Sequence, residues 1–361
     1  MNIQYLTLGE VCQKASSNIA QKDLENNSGN YEIYGASGFI KTVDFYHQEQ
    51  PYIAIVKDGA GVGRTMLLPA RSSVIGTMQY IIPNDKIDIR YLYYGIVNMN
   101  LSRYYMGAAI PHIYFKDYQK ELLPIPDKAE QIKIANTLEL LDKLIDARNN
   151  QIEAFDNLVK SRFIEMFGDT SDKEKVTMAD ICKIITDGTH QPPKFTPTGI
   201  PFLFVSNIVT NEISYNSEKF ISAETYTELV KRTPIAIGDI LLSTVGSYGH
   251  PAVVKSDQMF CFQRHIAYLK PNIDMVNSEY LRGAILSSDV QRQIDESVKG
   301  IAQKTLNLSE IRKLRLPLPP IELQEQFAAF VEATDKLKFE AKQGLEKLET
   351  LKKSLMQEYF G

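Results

Sequence analysis

The sequence predicts an α+β chain in which two mixed α/β domains are separated by two long helices pairing as an antiparallel coiled coil. Three observations predict it. First, the chain repeats itself: shifted by 193 positions, 107–168 lies on 300–361 without a gap, matching Leu123/Leu316, Pro124/Pro317, Pro126/Pro319 and Gln131/Gln324. The match continues through Asp142-Lys143-Leu144 against Asp335-Lys336-Leu337 and ends on Phe167-Gly168 and Phe360-Gly361. Second, short runs of β-type residues bounded by turn residues recur in each copy. Third, each copy closes on a long segment with helical apolar spacing.

In chain order, residues 1–122 form the first domain, 123–175 a central helical spacer, 176–315 the second domain and 316–361 a C-terminal helical spacer. The domain starts align at a shift of 170 (Thr7/Thr177, Cys12/Cys182), and a shift of 188 pairs Tyr80 with Tyr268. The growing offset makes the second copy longer in its first half. Strands are expected at Tyr52–Val56, Gln79–Ile82, Ile200–Val205 and Ile240–Ser243, and helices at Tyr91–Leu101 and Ser278–Ile285. After each Leu-Pro-x-Pro segment, whose prolines favour extended backbone, a long helix begins. In the first, Ile134, Leu138, Leu141, Ile145, Ile152, Phe155, Val159 and Met166 recur at steps of four and three, with Arg148 and Arg162 in the remaining seam positions. Gly168 stops it. The second stripe reads Phe330, Leu337, Ala341, Leu345, Leu348, Leu351 and Leu355, interrupted by Thr334 and Gly344. Helices of roughly 54 Å would leave their seams wet if alone. Pairing with each other is the economical solution; packing each on its own domain is the alternative.

With 361 residues, 44% of them hydrophobic, the chain can bury real cores and does not read as disordered. Cys12, Cys182 and Cys261 are too few and too far apart for a disulfide framework, and no Cys or His spacing suggests zinc. The N-terminus carries no signal-peptide pattern and no run approaches 18 apolar residues, so a soluble, intracellular, cytoplasmic protein is expected. Asp58-Gly59-Ala60-Gly61-Val62-Gly63 mimics a cofactor-binding turn, but Arg64-Thr65-Met66-Leu67-Leu68-Pro69 reads as a second strand, so a glycine-rich hairpin turn is expected. There is no Walker A sequence, no nuclease-type carboxylate set, and no Ser/His/Asp spacing among five His. Several loops do carry the side chains that hold phosphates and read base edges. These are Asp187–Lys194, Ser243–His250 and Gln263-Arg264-His265, with Lys57, Arg64, Gln79 and His112 in comparable places of the first copy.

Taken together, these residues resemble the specificity subunit of Type I restriction-modification systems over essentially the whole chain. Tyr31-Glu32-Ile33-Tyr34-Gly35-Ala36-Ser37-Gly38-Phe39-Ile40 is similar to the signature of the first domain, and Asp187-Gly188-Thr189-His190, with Pro193-Lys194 and Gly199-Ile200-Pro201, to the start of a target recognition domain. Gly107–Ile113 and Gly300–Lys304 look like the segment preceding each spacer. Leu123-Pro124-Ile125-Pro126 with Glu130-Gln131, and Leu316–Pro320 with Gln324, look like the spacer entry. In the second copy Leu323 stands where Glu130 does. The resemblance implies a non-catalytic reader of double-stranded DNA whose two domains each bind one half of a split sequence. The spacers would dock two methyltransferase subunits, and motor-nuclease subunits would join. S-adenosylmethionine would belong to the methyltransferase, ATP and magnesium to the motor-nuclease. DNA contacts are expected from Lys57, Arg64, Gln79 and His112 in the first domain and His190, Lys194, Arg264, His265 and Lys304 in the second.

Two other classes compete: a methyltransferase using Gly59–Gly63, and a coiled-coil interaction protein without a DNA role. The net charge of −4 argues at first against a nucleic-acid binder. Divided along the chain, however, it is 0 for 1–122, −3 for 123–175, +1 for 176–315 and −2 for 316–361. The acidity lies in the spacers. A near-neutral reader should hold DNA weakly alone and rely on basic patches and partners for phosphate contacts.

Overall fold

The computed structural model describes residues 3–107, 111–168, 175–300 and 304–361. The chain divides into two compact units, residues 1–150 with 341–361, and residues 151–340. Both are built on one plan. In the first, an antiparallel four-stranded sheet runs Cys12–Ser16, Met78–Pro83, Tyr52–Val56, Thr65–Leu68 in spatial order. In the second the order is Cys182–Asp187, Ile266–Pro271, Ile240–Ser243, Pro251–Val253. Each unit adds a three-stranded sheet with one parallel pair: Tyr31–Gly35 on Ser73–Val74 in one, Ile200–Leu203 on Cys261–Phe262 in the other. Each closes its ends with a two-stranded ribbon, Gln4–Thr7 on Leu122–Ile125 and Lys175–Thr177 on Arg315–Pro317. The tandem repeat inferred from sequence is thus a repeat of topology.

The expected strands form, with Ile200–Leu203 ending two residues early because Val205–Asn207 turns into a 3-10 helix. The first predicted short helix lies at Ile89–Asn98, and Ser278–Ile285 is as expected. Extra length in the second unit falls mainly between Ile200–Leu203 and Phe220–Ile221, where the first has the tight Gly35–Gly38 turn. The segment Asp58–Gly63 joins Tyr52–Val56 to Thr65–Leu68 as a hairpin. Gly63 has a φ of 86°, and a Cβ there would lie 2.5 Å from the Ser102 backbone nitrogen. Chain geometry accounts for that glycine.

Two helices of 40 residues, Lys128–Phe167 and Ile321–Phe360, dominate the rest. Their starts match at the shift of 193, so Leu323 in place of Glu130 does not displace the second. Each start is held by one buried glutamine. Gln131 Oε1 accepts from the Asp88 N–H at 2.7 Å, at the N-cap of Ile89–Asn98, while its Nε2 donates to the Pro126 carbonyl at 2.9 Å. Gln324 repeats this, accepting from the Asn277 N–H at 2.8 Å and donating to the Pro319 carbonyl at 2.8 Å. Tyr91 and Tyr280 donate their hydroxyls to the carbonyls of Pro124 and Pro317 at 2.7 and 2.6 Å. The far end of each long helix finds the same kind of short helix. The Phe360 ring sits 4.9 Å from that of Tyr91, and the Phe167 ring 4.8 Å from that of Tyr280.

Within each unit the long helices pair antiparallel, since partners rise in one helix as they fall in the other. In the first unit Ile134, Leu138 and Leu141 share a core with Leu348, Leu355 and Met356, Asp142 pairs with Lys352, and Arg148 lies against Gly344. In the second, Asp156 receives Lys338 at 2.6 Å, Arg162 stacks over Phe330, and Phe163 packs edge-on against Phe327 at 5.4 Å. The same seams also pack on their globular parts, so both alternatives hold in part. Ile145, Ile152, Phe155, Val159, Leu345, Leu348 and Leu355 are half-buried, as a two-helix seam requires.

Leu337 and Leu351 correct the expectation: they are 51% and 47% exposed. The true stripe runs Phe327, Val331, Thr334, Lys338, Ala341, Leu345, Leu348, Lys352, Leu355. It was obscured because Lys338 and Lys352 occupy seam positions, their ammonium groups paired with Asp156 and Glu212 and with Asp142. Burial pulls the Lys338 amine down, but the two carboxylates outweigh it and hold its pKa above the ordinary value. Among the described residues, no helix is long and apolar enough to cross a membrane.

Removing either glutamine amide leaves a buried N–H and a proline carbonyl unpaired, at a cost of about 1–3 kcal/mol each time. Gln131→Ala and Gln324→Ala should each lower stability by that amount in urea unfolding, whereas Lys133→Ala, on an exposed face, should stay within about 0.5 kcal/mol.

Candidate functional site

In each unit one of the two central strands of the four-stranded sheet ends in a loop braced by the segment that precedes the long helix. In the first unit this strand is Tyr52–Val56. The Ile113 N–H donates to the Lys57 carbonyl at 2.9 Å and the Gly59 N–H to the Pro111 carbonyl at 2.9 Å. His112 reaches back to the Asp58 carboxylate through Nδ1, and Lys57 Nζ lies 3.8 Å from the same carboxylate. Lys57, Asp58 and His112 therefore form one half-buried cluster. Arg64, exposed, donates from Nη1 to the Ala36 carbonyl at 2.7 Å, tying the hairpin loop to the Gly35–Gly38 turn. The structure brings together three of the four residues expected in this domain within one end of the sheet.

Gln79 is the correction. It is 3% exposed, on the strand Met78–Pro83 between Cys12–Ser16 and Tyr52–Val56, with its amide bonded to the Tyr118 hydroxyl. A side chain enclosed this way has no free edge for a ligand. Its polar character looked like a surface contact, but it satisfies a buried tyrosine.

In the second unit the corresponding end lies beyond Ile240–Ser243. The Leu306 N–H donates to the Thr244 carbonyl at 2.8 Å, and the Thr244 N–H to the His265 carbonyl at 3.0 Å. The Arg264 N–H donates to the Thr189 carbonyl at 3.0 Å, so the three loops singled out by sequence are stitched together. Gly188 is required there: a Cβ would lie 2.2 Å from the Phe262 carbonyl oxygen. Asp187 gathers donors, pairing with His190 Nε2 at 3.0 Å and with the Arg232 guanidinium. Arg264, His265, Thr244, Thr305 and Asn307 line an open cleft with Asp187. Lys304 lies over the Tyr248 ring, 5.9 Å from its centroid. Lys194 is exposed on the loop that follows His190.

Sequence reasoning missed Arg232. It follows the helix Ala223–Leu229, which has no counterpart in the first unit, so the repeat offered no signal for it. The parts of Gly107–Ile113 and Gly300–Lys304 at 108–110 and 301–303 lie outside the described residues.

The chemistry available is recognition. Guanidinium, ammonium and imidazole donors stand beside backbone amides and hydroxyls, partly neutralised and positioned by Asp58 and Asp187. Burial pushes the thiols of Cys12, Cys182 and Cys261 up to about 12, so none is a thiolate at neutral pH. Among the described residues, no group of three or more His, Cys, Asp or Glu is placed to hold a metal ion.

Comparison with known proteins adds three findings. A family described as the Type I restriction modification DNA specificity domain matches residues 2–154 and 170–351. Among curated relatives, the EcoBI specificity subunit of Escherichia coli is 25% identical over 320 residues, 77% of this chain and 66% of that one. The MjaVIII specificity subunit of Methanocaldococcus jannaschii is 22% identical, covering 84% of this chain and 77% of that one. The chain thus spans about two thirds of the first relative's length. In fold, it resembles the Type I restriction-modification S subunit of M. genitalium, with a TM-score of 0.65, 16% identity, and 100% and 96% of the two chains covered.

Burial, and secondly the Arg264 charge, hold the His265 pKa below its ordinary value. Both disfavour the imidazolium in the fold. Stability from this group is therefore present above the unfolded-state value near 6.5 and lost as pH falls toward the folded one. In an NMR titration, Arg264→Ala should move the His265 midpoint upward while leaving it below that of an exposed histidine.

Proposed function

Because the chain belongs to the Type I restriction modification DNA specificity family, we propose that it is the non-catalytic DNA-reading subunit of such a complex. The observation that carries this reading is the repetition of one scaffold with different side chains at the same sheet end. One bears Lys57, Arg64 and His112; the other His190, Lys194, Arg232, Arg264, His265 and Lys304. Loops on a rigid scaffold are where binding residues reside, and two such sets in one chain suit a bipartite target.

Residues 1–122 and 176–315 act as the two target recognition domains in this reading. Cationic and amide donors contact phosphates and base edges, with specificity coming from bidentate contacts such as arginine on guanine. The long helices dock two methyltransferase subunits; their exposed faces carry Leu140, Leu144 and Leu158 at 58, 43 and 47% exposure, apolar surface that a partner would cover. Motor-nuclease subunits complete the assembly in the cytoplasm. S-adenosylmethionine belongs to the methyltransferase, ATP and magnesium to the motor-nuclease. Near-neutral domains leave the chain dependent on these partners for tight DNA retention.

Mapping methylated adenines in cells that carry the intact system tests the reading directly. Exchanging residues 176–315 for another member's domain should change one half of the methylated sequence and leave the other intact. If both halves change, or neither does, the two-reader assignment fails. Inserting one heptad into the Ile134–Met166 stripe should change the number of bases between the half-sites; an unchanged gap contradicts a spacing role for the helices.

A further inference from the structure

The segments before the two long helices share a backbone and differ in chemistry. In the first unit Met106 and His112 pair antiparallel, with N–H to carbonyl distances of 2.8 and 2.9 Å in the two directions. Lys299 and Thr305 do the same in the second, at 3.1 and 2.8 Å. Directly paired residues project from one face of a ribbon, and the residue two further along joins them. On the first ribbon that face carries Met106, His112 and Tyr114. On the second the matched positions carry Lys299, Thr305 and Asn307.

Met106 is 60% and Tyr114 47% exposed. The His112 and Tyr114 rings touch, with centroids 4.0 Å apart, and Lys116 lies over the Tyr114 ring at 5.2 Å. The ribbon is anchored beside the loop that holds Lys57 and Asp58. A thioether and a phenol ring, left in water with the Lys116 ammonium over the ring, form an apolar edge in a setting suited to a polyanion. Apolar side chains of this kind enter between base steps and unstack them, while neighbouring cations hold the phosphates.

We propose that the face formed by Met106, His112 and Tyr114 wedges against a base step of duplex DNA and unstacks it, and that the second ribbon, with Lys299 and Lys304, makes phosphate contacts instead. The two halves of the target are then read by different physics: deformability in one, charge in the other. This rests on the DNA-reading function proposed above.

The test uses the full chain assembled with its methyltransferase subunits, on a duplex carrying the mapped target. 2-Aminopurine is placed in turn at each position of the half-site assigned to the first domain, except the methylated adenine. One position should brighten several-fold on binding. Met106→Ala and Tyr114→Ala should each abolish that rise and weaken binding about tenfold, with the salt dependence of affinity unchanged because no charge is lost. Met106→Lys should lose the rise and steepen the salt dependence by about one phosphate contact. Tyr114→Phe, which keeps the ring, should retain the rise, and unchanged melting curves exclude misfolding. If the parent complex prefers its target but no position brightens, or if the rise survives in M106A and Y114A, this inference is overturned. Variants that weaken methyltransferase association while leaving DNA affinity intact also overturn it, placing the face at a protein interface. A complex that does not prefer its target over a scrambled duplex overturns the DNA-reading function itself.

Discussion

Everything in either unit hangs on how a long helix leaves a globular domain, and one buried amide governs that in each copy. The Leu-Pro-x-Pro segment is extended and has few N–H groups of its own, so its carbonyls need donors from elsewhere. Tyr91 and Gln131 supply them in one unit, Tyr280 and Gln324 in the other. The same glutamine closes the N-cap of the short helix through its oxygen. Three elements meet at one side chain, which is 1% exposed at Gln131 and fully enclosed at Gln324. An amide in that position cannot be exchanged for an apolar group without leaving donors and acceptors stranded, so the helix departs in one direction only.

The short helix then serves twice. Its tyrosine fixes the entering strand, and a small residue beside it receives the aromatic end of a long helix. A Cβ on Gly283 would lie 2.7 Å from the Phe163 ring, and one on Gly95 2.6 Å from Leu123 and 3.4 Å from the Phe360 ring. The repeat therefore maintains matched pairs of contacts, while the loops at the sheet ends are left to vary. Asp58 and His112 meet in one unit where Val245 and Thr305 meet in the other. The scaffold tolerates that change because both bridges are made by backbone.

Charge follows the same division. Asp58 holds Lys57 and Asp187 holds Arg232, which orients these two cations and reduces the net field each domain projects. The lysines of the helix seam are neutralised by carboxylates at their own level. A chain of this balance uses geometry for selectivity and leaves bulk attraction to its partners.

The repeat, four of the strands, the two short helices beside the sheets, the hairpin at Gly59–Gly63 and the two long helices were legible in the sequence, with their pairing left as one of two options. These depend on local signals: periodicity, turn residues and self-similarity. Which groups meet became visible only in three dimensions. The fold enclosed Gln79 against Tyr118, since a polar residue on a central strand is inward or outward according to its neighbours. It exposed Leu337 and drew Lys338 into the seam, because a lysine with two carboxylates in reach can occupy a position that periodicity assigns to a leucine. It brought Arg232 to Asp187 from an insertion with no repeat partner to mark it. Burial and charge pairing are properties of contacts between distant residues, and no window of sequence contains them.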